Sequence, residues 1–217
     1  MKSYKIYLIR HEMTEANEHG VYLGQTDVPL SPEGLRHLLD MKEAFDYPPV
    51  TPVTKLFAAP LSRCLQTLQV LYPKADVITL EGLNECSLGE WEGKTVTQLK
   101  TQPGFAEWVS GQSGAIPGGE DAESFQTRVS EAFEQLVEYL MRSGSTEAVV
   151  CVPGGVMMLI MAKYAFPRAS MGEWATDAAC GFEVRVTPEL WMREPVMEAV
   201  SLIPWNKEEE SDDESRL

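Results

Sequence analysis

The chain has 217 residues, 44% of them apolar, and a net charge of −15 at pH 7. That length and apolar share suit one soluble globular domain with a sizeable core. The negative charge argues against nucleic acid or an anionic membrane as partner, because both demand a basic surface.

Tyr4–Arg10 alternates and runs into a polar loop, so a strand is predicted there. Lys2 and Lys5 flank it, but Tyr4–Ile9 is too short for the apolar core of a targeting signal. Ser31-Pro32-Glu33 opens a helix, with Ser31 as cap and Leu35, Leu38, Leu39 and Phe45 expected on one face. A second strand is predicted at Thr54–Ala59, a helix at Leu61–Leu71, a short strand at Asp76–Leu80 and a glycine-containing loop at Asn84–Lys94.

Asp121–Arg142 is the clearest helix. Phe125, Val129, Ala132, Phe133, Leu136, Val137 and Leu140 form its stripe, and Gly144 marks its stop. Ala148–Val152 is continuously apolar, the sign of a strand covered on both faces. Gly154–Tyr164 has few polar positions and should be a buried helix; its apolar run Val156–Ala162 is too short to span a membrane. Phe182–Val186 and Val196–Ile203 read as strands.

This alternation implies an α/β fold, a three-layer α/β/α sandwich on a mostly parallel central sheet. One domain is expected over residues 1–206. Lys207–Leu217 carries six acids against two bases and reads as a solvated, disordered acidic tail, with an interaction tail as the alternative. Cys64, Cys86, Cys151 and Cys180 show neither CxxC pairing nor metal-ligand spacing. They read as reduced thiols, and the expected location is cytoplasmic.

In such sheets ligands bind beyond the carboxyl ends of the strands. Three predicted turns lie there: Arg10–Asn17, Ala59–Arg63 and Pro153-Gly154-Gly155. Arginine offers a planar fork for phosphate oxygens, and a neutral imidazole can be a nucleophile or an acid/base group. A pocket around Arg10, His11 and Arg63 is therefore expected.

The series Leu8-Ile9-Arg10-His11, Thr14, Asn17, Leu23-Gly24-Gln25-Thr26-Asp27 and Pro29-Leu30-Ser31-Pro32-Glu33-Gly34 resembles the opening of the histidine phosphatase superfamily. That superfamily includes cofactor-dependent phosphoglycerate mutases and small-molecule phosphatases. Ala59–Thr67, Leu83-Asn84-Glu85 with Leu88–Lys94, and Pro117-Gly118-Gly119-Glu120 extend the likeness to about Tyr164. The resemblance implies that His11 takes the phosphoryl group, Arg10 and Arg63 clamp its oxygens, Asn17 contacts the pocket edge, and Glu85 protonates the leaving oxygen. Two alternatives stay open: Arg63 on the surface, and Glu90 or Glu92 as the proton donor. Trp91 reads as packing. His19 and His37 read as bystanders, with His19 near enough to reach the rim. No cofactor and no metal are implied.

Two positions depart from the pattern. Glu12, followed by Met13, stands where the family usually has glycine, and Pro153 stands where it has a second histidine. Proline brings neither a side-chain donor nor an N–H. Glu12 either points inward, opposing a phosphate, or outward as an ion-pair partner. The expected function is therefore a phosphomonoesterase of reduced activity. It would act on a small phosphorylated metabolite through a phosphohistidine, as in the branch containing α-ribazole phosphatase. The alternatives are an impaired phospho-ligand sensor and a phosphoglycerate mutase. Specificity is expected from Gln98–Ile116, where Phe105 and Trp108 form either an apolar lid or core. Oligomeric state stays open, a homodimer through a strand edge being one arrangement.

Overall fold

The structure, a computed structural model, describes residues 2–109 and 116–207. Strand β1 (Tyr4–Arg10) leads into the short helix α1 (Glu15–Glu18) and then α2 (Pro32–Ala44). After β2 (Phe45–Asp46) come β3 (Thr54–Ala58), α3 (Ser62–Leu71) and β4 (Val77–Thr79). The short helices α4 (Val96–Leu99) and α5 (Phe105–Val109) precede the long α6 (Ala122–Ser143). Then follow β5 (Glu147–Val152), α7 (Gly154–Tyr164), β6 (Ala165–Phe166), β7 (Gly181–Val186), α8 (Pro188–Trp191), β8 (Met197–Ile203) and β9 (Trp205–Asn206).

Seven strands form one sheet in the order β4-β3-β5-β1-β7-β8-β6. The pairs β4/β3, β3/β5, β5/β1 and β8/β6 are parallel, and the two pairs made by β7 are antiparallel. The predicted α/β architecture with a mostly parallel sheet is therefore present. In β1 and β5 Ile6, Leu8, Ile9 and Ala148–Val152 are wholly buried, as expected of central strands covered on both faces. Helices α2 and α3 contact one another, as do α6 and α7, and the sheet lies between these elements and their neighbours.

Local chemistry explains the boundaries. Ser31 caps α2 by accepting from Gly34 N at 2.9 Å, with Pro32 in the first turn. Asp121 caps α6 through Ser124 N at 2.7 Å, and Gly144 closes it at φ 78°. The predicted α6 stripe is the buried one, Phe125 through Leu140. Expectation and structure part on α2. Leu38 is fully buried, whereas Leu39, one residue around the helix, is 55% exposed. Phe45 has left the helix and pairs with Asn206. Among the described residues no helix is long and apolar enough to cross a membrane. Apart from Lys207, the predicted acidic tail lies outside the described residues.

Candidate active site

The carboxyl ends of β1, β3 and β5 open onto a cleft of about 330 Å³. Arg10, His11, Asn17, Arg63 and Glu85 all line it, so the three separate turns do converge. Each side chain is placed by local structure. Arg10 is the last residue of β1, and its Nη1 donates to the carbonyl of Thr176. Its Nε is buried without a hydrogen-bond partner among the described residues. Arg63 sits in the first turn of α3. The Asp27 carboxylate caps that helix, accepting Ser62 N and Ser62 Oγ, both at 2.7 Å. Arg63 is buried, and its Nη1 and Nη2 donate to the carbonyls of Thr26 at 2.9 Å and Gly24 at 2.8 Å. The surface alternative for Arg63 is therefore excluded. Both guanidinium groups are anchored by neutral carbonyls, so their charge is left for a ligand.

His11 is 6% exposed. Its Nδ1 lies 2.7 Å from the Glu12 carbonyl oxygen. A carbonyl can only accept, so Nδ1 carries the proton and Nε2 keeps its lone pair. Burial pulls the imidazole pKa down to about 3, and the positive charges of Arg63 and Arg10 push the same way. The ring is therefore neutral across the physiological range. Asn17 Oδ1 accepts from Thr14 N and Thr14 Oγ1, fixing α1 through a capping box at the cleft edge.

Glu85 follows a 3-10 turn at Glu81–Leu83. Its Oε1 accepts Cys86 N at 2.8 Å and its Oε2 accepts Gly155 N at 3.1 Å. Burial pushes its pKa up, opposed by those amides and by Arg63 and Arg128. A carboxyl so placed holds its proton to higher pH than a surface glutamate, as a general acid must. A Cβ at residue 155 would lie 2.6 Å from Glu85 Oε1, so a glycine there lets the acid approach α7. The alternative donors serve elsewhere: Glu92 holds Gly24 N at 2.8 Å, and Glu90 is exposed.

The structure decides several readings that the sequence left open. Glu12 is fully buried yet turned away from the cleft, where it accepts Met13 N and lies 2.9 Å from His37 Nδ1. His37 lies outside the cleft, and its Nδ1 is engaged with this carboxyl group. His19 packs its Nδ1 against its own helix at Glu15 O and does not line the cleft. Pro153 is buried at the N-cap of α7 and is not among the lining residues. Phe105 and Trp108 belong to the core alternative: stacked on each other, they meet Trp91 and the cleft-lining Tyr22 edge to face. Of the region Gln98–Ile116, residues 110–115 lie outside the described residues, and none of the described ones lines the cleft. The wall comes instead from Val21, Tyr22, Leu23, Val96, Met157, Met158 and Trp174.

One supporting residue had no signal strong enough to find it in the sequence. Arg128, on α6, donates to the carbonyls of Gly82, Asn84 and Glu85 and pairs with Glu120 at 2.7 Å. Only its place eight residues after the Gly-Gly-Glu segment hinted at it. Arg128→Ala leaves three carbonyls and a carboxylate without this donor. A loss of about 1–3 kcal/mol in urea unfolding is expected. The pH dependence of stability is a second test. Between pH 6.5 and about 3 the unfolded chain takes up a proton on His11 that the folded chain refuses. Stability from this group is complete above pH 6.5 and falls with pH, by roughly 4–5 kcal/mol over the whole window. Urea melts of His11→Gln should show a flatter fall on acidification than the parent.

Comparison with known proteins agrees with this geometry. The profile of the histidine phosphatase superfamily (branch 1) matches residues 6–194. The adenosylcobalamin/α-ribazole phosphatase of Salmonella typhimurium is 25% identical over 182 residues, covering 81% of this chain and 87% of that protein. Its Escherichia coli K12 counterpart is 26% identical over 186 residues, with the same coverage. The crystal structure of the α-ribazole phosphatase from Shigella flexneri superimposes with a TM-score of 0.73 at 21% identity, over 94% of this chain and 96% of that one. With arginines, histidine and glutamate gathered at one sheet edge, and with this match over most of its length, the chain belongs to the histidine phosphatase superfamily.

Proposed function

We propose that the chain is a phosphomonoester hydrolase that transfers the phosphoryl group to His11 Nε2 and whose substrate carries an uncharged, largely apolar leaving group. The observation that carries this reading is the division of the cleft. Arg10 and Arg63 are the cationic residues among its described lining, and both sit at the His11 end. Beside the polar Thr14, Asn17, Glu85 and Thr176, the larger side chains of the wall are aliphatic, methionine or aromatic: Val21, Tyr22, Leu23, Val96, Met157, Met158 and Trp174.

The steps follow from the groups in place. The guanidinium groups receive the near-dianionic ester and offset the charge on its equatorial oxygens. His11 Nε2 attacks phosphorus while Nδ1–H stays on the Glu12 carbonyl. Glu85 gives its proton to the leaving oxygen, and as a carboxylate it then activates the water that cleaves the phosphohistidine. Turnover is expected to be slow, because Pro153 supplies no side-chain donor; one missing donor commonly costs about 10²–10³ in rate. A phosphoglycerate mutase would need a further cation for the substrate carboxylate, and the described lining offers none.

The test is a panel of esters assayed with His11→Ala as control: naphthyl phosphate, α-ribazole phosphate and 3-phosphoglycerate. The apolar esters should exceed phosphoglycerate in kcat/KM by at least about tenfold. Preference for phosphoglycerate, or exchange of its phosphoryl group, would point to a mutase. Vanadate binding with no turnover across the panel would point to a sensor. The acid assignment has its own signature. Activity should hold from acidic to neutral pH and decline as Glu85 loses its proton. Glu85→Gln should slow alkyl esters by about 10²–10⁴ and p-nitrophenyl phosphate far less, since that leaving group needs no proton.

A further inference from the structure

Glu12 is a fully buried carboxylate beside the nucleophile, outside the cleft, at a position where glycine would cost nothing to bury. Its contacts define one peptide plane. The carbonyl of the Glu12–Met13 peptide accepts His11 Nδ1–H at 2.7 Å. The N–H of the same peptide, on Met13, donates to Glu12 Oε1 at 2.8 Å. The peptide is rigid and planar, so it cannot rotate without breaking both bonds.

The far oxygen of the carboxylate, Oε2, is held by His37 Nδ1 at 2.9 Å from α2. The preceding peptide is fixed as well: Glu12 N donates to Thr67 Oγ1 at 3.0 Å, and Thr67 Oγ1 donates to the Arg63 carbonyl at 2.7 Å. Helix α2 presses on this turn from its N-terminus. Ser31 N donates to Met13 O at 3.1 Å, and a Cβ at Gly34 would lie 2.4 Å from that oxygen.

We infer that Glu12 and His37 are positioning residues for the nucleophile, acting on His11 through the Glu12–Met13 peptide. An anionic acceptor on the N–H polarises the amide, and its carbonyl becomes a stronger acceptor for Nδ1–H. That bond keeps the proton on Nδ1, keeps the Nε2 lone pair directed at phosphorus, and stabilises the cation that forms when Nε2 is phosphorylated. A carboxylate bonded directly to an imidazole performs this orientation in hydrolytic triads; here one peptide unit stands between them. The inference rests on His11 being the phosphoryl acceptor.

The test uses Glu12→Gln, close in shape but uncharged, and His37→Gln, at a partly exposed site. Turnover and the NMR signal of the His11 Nδ1 proton are measured on each full chain, with parent and His11→Ala as references. Misplaced reacting groups cost up to about 10²-fold. Glu12→Gln should therefore lower kcat by about 10–100-fold with KM changed less than about threefold, and His37→Gln by a smaller factor. The Nδ1 proton signal should move upfield in both. Unchanged kcat together with an unmoved signal, whatever happens to Tm, would show a purely structural pair and overturn the inference. If the parent hydrolyses no ester, the proposed function fails by itself. The Nδ1 signal still decides whether Glu12 orients the ring: a shift in Glu12→Gln supports it, and no shift overturns it.

Discussion

The whole site depends on how two cations are held in a chain of net charge −15. Arginines in an acidic protein find carboxylates readily, and a paired guanidinium has little attraction left for a phosphate. Arg10 and Arg63 are held by the carbonyls of Thr176, Gly24 and Thr26 instead, and neither enters an ion pair among the described residues. Arg128 shows the contrast. Glu120 neutralises it, and it serves as scaffold for the loop bearing Glu85. The same residue type does opposite tasks according to whether its partner is charged.

Burial, more than those unspent charges, governs the titration of their neighbours His11 and Glu85. Burial and the two arginines keep His11 neutral, and burial raises the Glu85 pKa against the pull of two amides, Arg63 and Arg128. His11 and Glu85 thus line one cleft, and desolvation is the largest influence on each. The geometry is supplied by elements far apart in the chain: the turn directly after β1 for His11, α3 for Arg63, and the turn before Cys86 for Glu85.

Much of this was legible in the sequence, for physical reasons. The central strands announce themselves by unbroken apolar runs, α6 by its stripe, and the site by polar residues directly beyond strand ends. What stayed hidden depends on side chains reaching across the fold. Glu12 offered two opposite readings, and only the placement of His37 on α2 decides between them. Arg128 looks like any exposed helix arginine until its three carbonyl partners are known. Trp174 and Thr176 come from an irregular stretch with no periodicity to read, yet they form part of the cleft wall and the anchor of Arg10. Leu39 and Phe45 failed because a helical face is about three residues wide per two turns, and a helix can end one residue early.

The backbone around the acid has an evolutionary corollary. Ser87 N donates to the Glu120 carboxylate at 3.3 Å, and Glu120 N donates back to Ser87 O at 2.9 Å. These two bonds tie residues 87 and 120 together directly downstream of Glu85, while the described chain between them packs into the core through Leu88, Trp91, Leu99 and Phe105. Lengthening a loop with fixed ends costs only about 0.6 kcal/mol per doubling. A change of length in an exposed turn of this segment therefore need not move Glu85, whose carboxyl is held by Cys86 N and Gly155 N and whose loop is held by Arg128.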